Sequence, residues 1–138
     1  MRNFLRSYEP YFYALLRIVT GFMFAQHGAQ KLFGFPPSGK PAMPLNALMT
    51  FGATLELVSG LMVMLGLFAG FAAFFASGMM AVAYFMAHQP QGILPIQNGG
   101  EPAVLYCFIF LFIAARGSGV LSLDSLIFGK DTDTPYRT

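Results

Sequence analysis

Apolar residues in this chain fall in long unbroken stretches, and the polar residues collect between them. The stretches show no period of two, which argues against strands, and each approaches the roughly 20 residues that a helix needs to cross a bilayer. Four segments emerge, from about Tyr11 to Phe33, about Leu45 to Leu67, about Phe71 to His88, and from Glu101 to about Arg116. The breaks between them have ordinary causes. Pro36, Pro37, Pro41 and Pro44 fill the first connection, where missing donors and a fixed φ delay the next helix. Asn98-Gly99-Gly100 leads into Glu101-Pro102, an acid and a proline suited to a first helical turn. Gly117-Ser118-Gly119 ends the fourth segment. The short, mixed stretch LSLDSLIF then belongs at the membrane interface, within a tail covering 117–138. The expected fold is all-α: a polytopic four-transmembrane-helix bundle forming one membrane domain over 1–138.

Composition agrees with a surface that faces lipid. Of the 138 residues, 56% are hydrophobic and 10% charged, against roughly a quarter charged in a soluble domain. The net charge of +2 and the lack of adjacent basic residues argue against a nucleic-acid partner. Cys107 is the single cysteine, so an intrachain disulfide and a CxxC redox or zinc motif are excluded. The N-terminus imitates a signal peptide, but Arg17 interrupts its apolar stretch, no clean cleavage site follows, and three more segments come after. A retained first span is the expectation. Basic residues cluster before the first span (Arg2, Arg6) and at or beyond the end of the fourth (Arg116, Lys130, Arg137). The first connection has only Lys40, and 89–100 has none. This asymmetry predicts both termini in the cytoplasm, N-in and C-in, in the plasma (inner) membrane.

Ionisable groups inside a span are costly and normally turn inward to a partner. At 100° per residue, Arg17, Gly21, Phe24, Gly28 and Lys31 share one face of the first helix, with His27 on its flank. Gly52, Glu56 and Gly60 repeat that pattern on the second. The two faces are expected to pack through their small residues. Arg17 and Glu56 would differ by about 7 Å in height, which predicts a buried Arg17–Glu56 pair with Arg116 and Asp124 as further members. Toward the outside, His27, Lys31, His88, Gln89 and Glu101 predict a vestibule. Its donors suit the two carbonyls of a quinone headgroup, with Phe24, Phe33, Tyr84 and Phe85 as walls. A bis-histidine haem at His27 and His88 has no support beyond the count of two, and both histidines can equally be satisfied polar residues near the headgroups. The Arg17–Glu56 pair reads as a structural lock or as a proton or substrate site. The methionines fill the core better than they bind copper, and no metal site is expected.

Several of these residues occur in recognisable order. LRIVTGFMFAQHGAQKLFGF, with Arg17, Gly28, Lys31, Phe33 and Gly34, resembles the opening of the DoxX family of small membrane proteins. LELVSGLMVMLG resembles its Glu-bearing helix through Glu56, Gly60 and Gly66. The GG-E-P start and the ARGSGVLSLD close, with Gly117, Gly119, Ser122 and Asp124, resemble its last helix and ending. Ser118 stands where the family often has Pro. The resemblance runs from about 11 to 126 and implies a four-helix membrane bundle. Some members are associated with a thiosulfate:quinone oxidoreductase, others with membrane complexes of redox-defence enzymes, and related families act as membrane chaperones or cargo factors.

The chain has no flavin or nucleotide loop, metal cluster or activated nucleophile, so no intrinsic cofactor is expected and a quinone would come from the bilayer. The expectation is a DoxX-type membrane subunit or accessory of a redox, quinone-linked system, set in a homo-oligomer or a heteromeric complex with a redox partner protein. The rival is a non-enzymatic scaffold or assembly factor. A solute or proton path along the polar face is a third reading. Catalysis by this chain is neither required nor excluded.

Overall fold

A computed structural model describes residues 2–37, 39 and 44–129. Lys40, Lys130 and Arg137, which contribute to the charge asymmetry, lie outside the described residues, as does the 130–138 end of the tail. The described residues are helical, with no strand among them. A short α1 (Arg2–Arg6) precedes the long α2 (Glu9–Phe33). Glu9 and Pro10 occupy the first turn of α2, and Gly34 closes it at φ 68°, its N–H donating to the Gln30 carbonyl. That is the left-handed end that glycine makes without strain.

Asn46 caps α3 (Ala47–Leu65), its side chain accepting the Met49 N–H at 2.9 Å. Gly66 ends α3 at φ 70°, and the Gly66 and Leu67 N–H groups return to the Val63 and Met62 carbonyls. After this tight turn, α4 (Ala69–Ala83) continues through a π turn at Tyr84–His88 and a 3₁₀ turn at Gln89–Gln91. A short α5 (Pro95–Asn98) leads to α6 (Glu101–Arg116) and then to α7 (Leu123–Ile127), which Ser122 caps. The expected segments thus match α2, α3, α4 with its continuation, and α6. The LSLDSLIF stretch contains α7, while the apolar pattern gives no sign of α1 and α5.

Packing follows the small residues. α2 lies along α3, α3 along α4, and α4 along α6. The α2–α3 contact is backbone to backbone: a side chain at Gly28 would come within 2.5 Å of the Ala53 carbonyl oxygen, and one at Gly60 within 2.5 Å of the Ala25 nitrogen. Gly21 likewise sits against Gly60 and Met64. Gly52, expected on this same face, meets open space instead. On α4, Ala69, Ala72, Ala73 and Ala76 are buried at helical spacing, which lets α6 approach closely. Phe24, Val63, Phe110 and Ile113 fill the centre.

The outer surface is apolar. Phe33, Phe51, Phe71, Phe85 and Phe108 are all about two-thirds exposed or more. Among the described residues two helices, Ala47–Leu65 and Ala69–Gln91, are long and apolar enough to cross a membrane. α2 has the length but carries Arg17, Gln26, His27, Gln30 and Lys31, and α6 has only 16 residues.

Candidate functional site

Two polar clusters lie in the bundle, and neither contains the Arg17–Glu56 pair that spacing predicts. Arg17 is fully buried. Its Nη1 donates to the carbonyls of Val63 at 2.6 Å and Met64 at 2.9 Å. Its Nη2 donates to Leu121 O at 2.7 Å and, at the limit of hydrogen-bond length, to Val120 O at 3.5 Å. The register explains the correction. Glycine contacts set Ala25 against Gly60 and Gly28 against Ala53 and Leu57, so Glu56 stands about level with residues 25–28. Arg17 lies at least eight residues lower, roughly 12 Å. There α3 has ended, and its last carbonyls need donors. The guanidinium supplies them and ties the 117–122 segment to the same point.

Gly66 is required there twice. Its φ of 70° favours glycine, and a side chain would fall 2.8 Å from Arg17 Nη1 and collide with Ser122. Asp124 completes this knot without touching Glu56. Its carboxylate accepts the Phe68 N–H at 2.9 and 3.0 Å and the Ser118 hydroxyl, and its own N–H donates to Gly66 O. It acts on Arg17 only through its charge. Arg116 turns elsewhere as well, pairing with Glu9 and lying over the Tyr13 ring at 4.4 Å. Tyr13 in turn donates to Gly117 O at 2.5 Å. The expected four-residue polar core therefore divides: Arg17 and Asp124 hold the α3–α4 turn to the chain's end, while Arg116 joins α6 to α2.

Glu56 belongs to the second cluster. It is 5% exposed, and Oε1 accepts a hydrogen bond from Lys31 Nζ at 2.6 Å. Lys31 reaches inward from the last turn of α2 with its side chain 41% exposed. Glu56 Oε2 is buried without a hydrogen-bond partner among the described residues, and the Tyr106 hydroxyl is in the same condition. Tyr106 rises from α6, and the Glu56 carboxylate acts on it electrostatically. The His27 ring meets Tyr106 edge-on at 6.2 Å, and His27 lies one turn before Lys31. Phe24 and Phe110 pack on Tyr106 at 5.3 and 5.7 Å. The result is an anion, a phenol and an imidazole at the edge of an apolar wall, with two polar atoms unspent.

The expected outer residues divide too. His27 and Lys31 join Glu56. His88 Nδ1 instead lies 3.1 Å from the Asn98 carbonyl, and its ring stacks on Tyr84. Asn98 donates to Gly92 O at 2.8 Å and to the Tyr84 hydroxyl at 3.2 Å, and accepts the Gly100 N–H. His88 thus helps hold the 89–100 loop. Glu101 is exposed at the start of α6, where an acid complements the helix dipole. Tyr106 was missed by sequence reasoning, although a hydroxyl amid VLYCFIFLF is a signal, since a buried tyrosine O–H usually finds a partner.

The chain is similar in sequence to a known family and to two proteins of Haemophilus influenzae. The DoxX family model matches residues 12–89, which carry Arg17, His27, Lys31, Glu56 and His88. A protein of Haemophilus influenzae described as uncharacterized is 42% identical over 134 residues, covering 93% of this chain and 99% of that protein. A second H. influenzae protein, also described as uncharacterized, is 30% identical over 98 residues, covering 71% of this chain and 63% of its own. No solved structure matches the chain.

Proposed function

The chain belongs to the DoxX family, and from that premise we propose that it is a four-span inner-membrane subunit of a quinone-linked redox system. In this reading α2, α3, the Ala69–Gln91 rod and α6 cross the bilayer, with α1 and α7 at the cytoplasmic face. Arg2, Arg6 and Arg116 supply the basic excess on that side, and both termini are cytoplasmic. The redox link comes from what the family resemblance implies.

One observation carries the ligand reading: Glu56 Oε2 and the Tyr106 hydroxyl are both buried and unpartnered among the described residues. A buried polar atom without a partner costs about 1–3 kcal/mol, and native folds rarely tolerate two together. A polar headgroup entering from the bilayer would satisfy both, beside the rings of Tyr106 and His27. The chain supplies binding and orientation, and the electrons pass to or from a partner protein. Solvent extraction of protein purified in native lipid tests this. Quinone near one equivalent per chain is expected, falling in a Glu56→Ala/Tyr106→Phe double variant. Extracts from the wild-type protein without quinone would refute it.

The scaffold reading keeps one specific support. Asp124, His88, Asn98 and both Nη groups of Arg17 hold the chain together, although Arg17 Nε is buried without a partner among the described residues. A protein that stabilises a partner complex whether or not the Glu56 cluster is intact would be a scaffold.

A further inference from the structure

The two unspent atoms are not chemically alike, and their difference points to which form of a headgroup the site takes. Glu56 is the anionic member of an ion pair, with Lys31 on Oε1. An ionised carboxylate offers lone pairs and no proton, so whatever faces Oε2 must donate. The Tyr106 hydroxyl can donate or accept by rotating, so it accommodates either form. His27 stands at the edge of the same group and is exposed, so water or lipid headgroups can satisfy it. Lys31 has further protons, but its side chain is 41% exposed and directed to Oε1, leaving the rest to water and headgroups. The buried side of the site is therefore governed by an acceptor.

A quinone presents two carbonyl oxygens, which are acceptors only. Set against Oε2, one of them would bring two sets of lone pairs together and leave both unsatisfied. The reduced quinol presents two hydroxyls, each with a proton to give. One can donate to Glu56 Oε2 while the other exchanges a hydrogen bond with Tyr106. The donors that spacing suggests, His27, Lys31 and His88, would favour carbonyls, but Glu56 and not His88 joins Lys31, and the preference reverses.

We propose that the Glu56–Tyr106 site binds the reduced, hydroxyl-bearing form of a quinone/quinol couple more tightly than the oxidised form. This rests on the quinone reading above. A hydrogen bond to a charged acceptor, against an unsatisfied buried pair, is enough for a preference of about tenfold or more. By linkage, a site that holds the reduced form tenfold tighter raises the potential of the bound two-electron couple by about 30 mV. Quinone held there would be a better electron acceptor than quinone free in the bilayer.

The test uses the whole chain in nanodiscs under anaerobic conditions, with menadione and its two-electron-reduced diol as probes and empty nanodiscs as the blank for partition. Calorimetric titration should give a dissociation constant about tenfold lower for the diol. Glu56→Gln, which exchanges a pure acceptor for an amide that also donates, should erase or invert the preference. Tyr106→Phe should weaken both forms and leave the preference in place, and it keeps the test alive if Glu56→Gln fails to fold. Equal or tighter binding of menadione by the wild-type chain would overturn the preference while leaving a quinone site standing. No saturable binding of either probe would overturn the site and the preference together.

Discussion

Arg17→Ala is the sharpest test of how this bundle is held. In the wild type three short hydrogen bonds run from one guanidinium to Val63, Met64 and Leu121, and no part of the residue reaches solvent. Truncation strands the Met64 and Leu121 carbonyls and leaves Val63 O with the Gly66 N–H alone. An unsatisfied buried acceptor costs about 1–3 kcal/mol. Met64 and Leu121 are not fully buried, so the lower part of that range applies to them. The cavity adds a further cost. A total of roughly 3–5 kcal/mol is expected, similar to the loss of one member of a buried ion pair. Arg17→Lys should recover only part, because one ammonium cannot span the two groups of carbonyls that the planar fork bridges. Reversible unfolding in mixed micelles, followed by helical circular dichroism, measures both. A loss below about 1 kcal/mol in Arg17→Ala, or full recovery in Arg17→Lys, would refute the reasoning.

Four further outcomes follow from the same contacts. A double-mutant cycle should find coupling of about 1 kcal/mol between Lys31 and Glu56, and additivity within about 0.5 kcal/mol between Arg17 and Glu56; coupling in the second cycle instead would restore the pairing that spacing suggested. Gly28→Ala and Gly60→Ala should each cost about 1–3 kcal/mol by forcing α2 from α3, while Gly52→Ala should be neutral or slightly stabilising, as read from thermal denaturation in detergent. His27→Ala should weaken quinone-analogue binding, whereas His88→Ala should leave it unchanged and speed hydrogen exchange across 92–100; the opposite pattern would return the ligand to the outer loop. In a Cys107→Ala background, cysteines at Gln97 and in the first connection should react with an impermeant maleimide added to intact cells, and labelling only after lysis would invert or discard the proposed topology.

Much of the fold was legible because it depends on quantities that are local in sequence. The breaks at Gly34, Gly66 and Gly117 are positions where φ turns positive, and each lies within a residue or two of a predicted end. The helices needed only continuous apolar runs and such stops. The π turn at Tyr84–His88 left no comparable mark, since its residues suit an α-helix equally well. It nevertheless belongs to the segment that brings Tyr84 and His88 onto the 92–100 loop.

The polar partners were harder to read, and Arg17 shows why. Helical spacing places a residue on a face but says nothing of the height at which two helices meet. Here that height is set by Gly21 and Gly28 seating against Gly60, Met64, Ala53 and Leu57. A shift of two turns between facing helices is about 11 Å, more than the difference between a carboxylate in reach and one out of it. Arg17 then binds main-chain carbonyls, which every residue carries and no letter of the sequence marks. Lys31 shows the same effect in reverse: it was assigned to the outer rim by its place at the end of α2, yet its flexible stem carries the ammonium inward to Glu56. With Lys31 spent on one oxygen of Glu56, the other is left buried without a partner among the described residues. The chemistry of the site therefore depends on a register fixed by three glycines that never touch it.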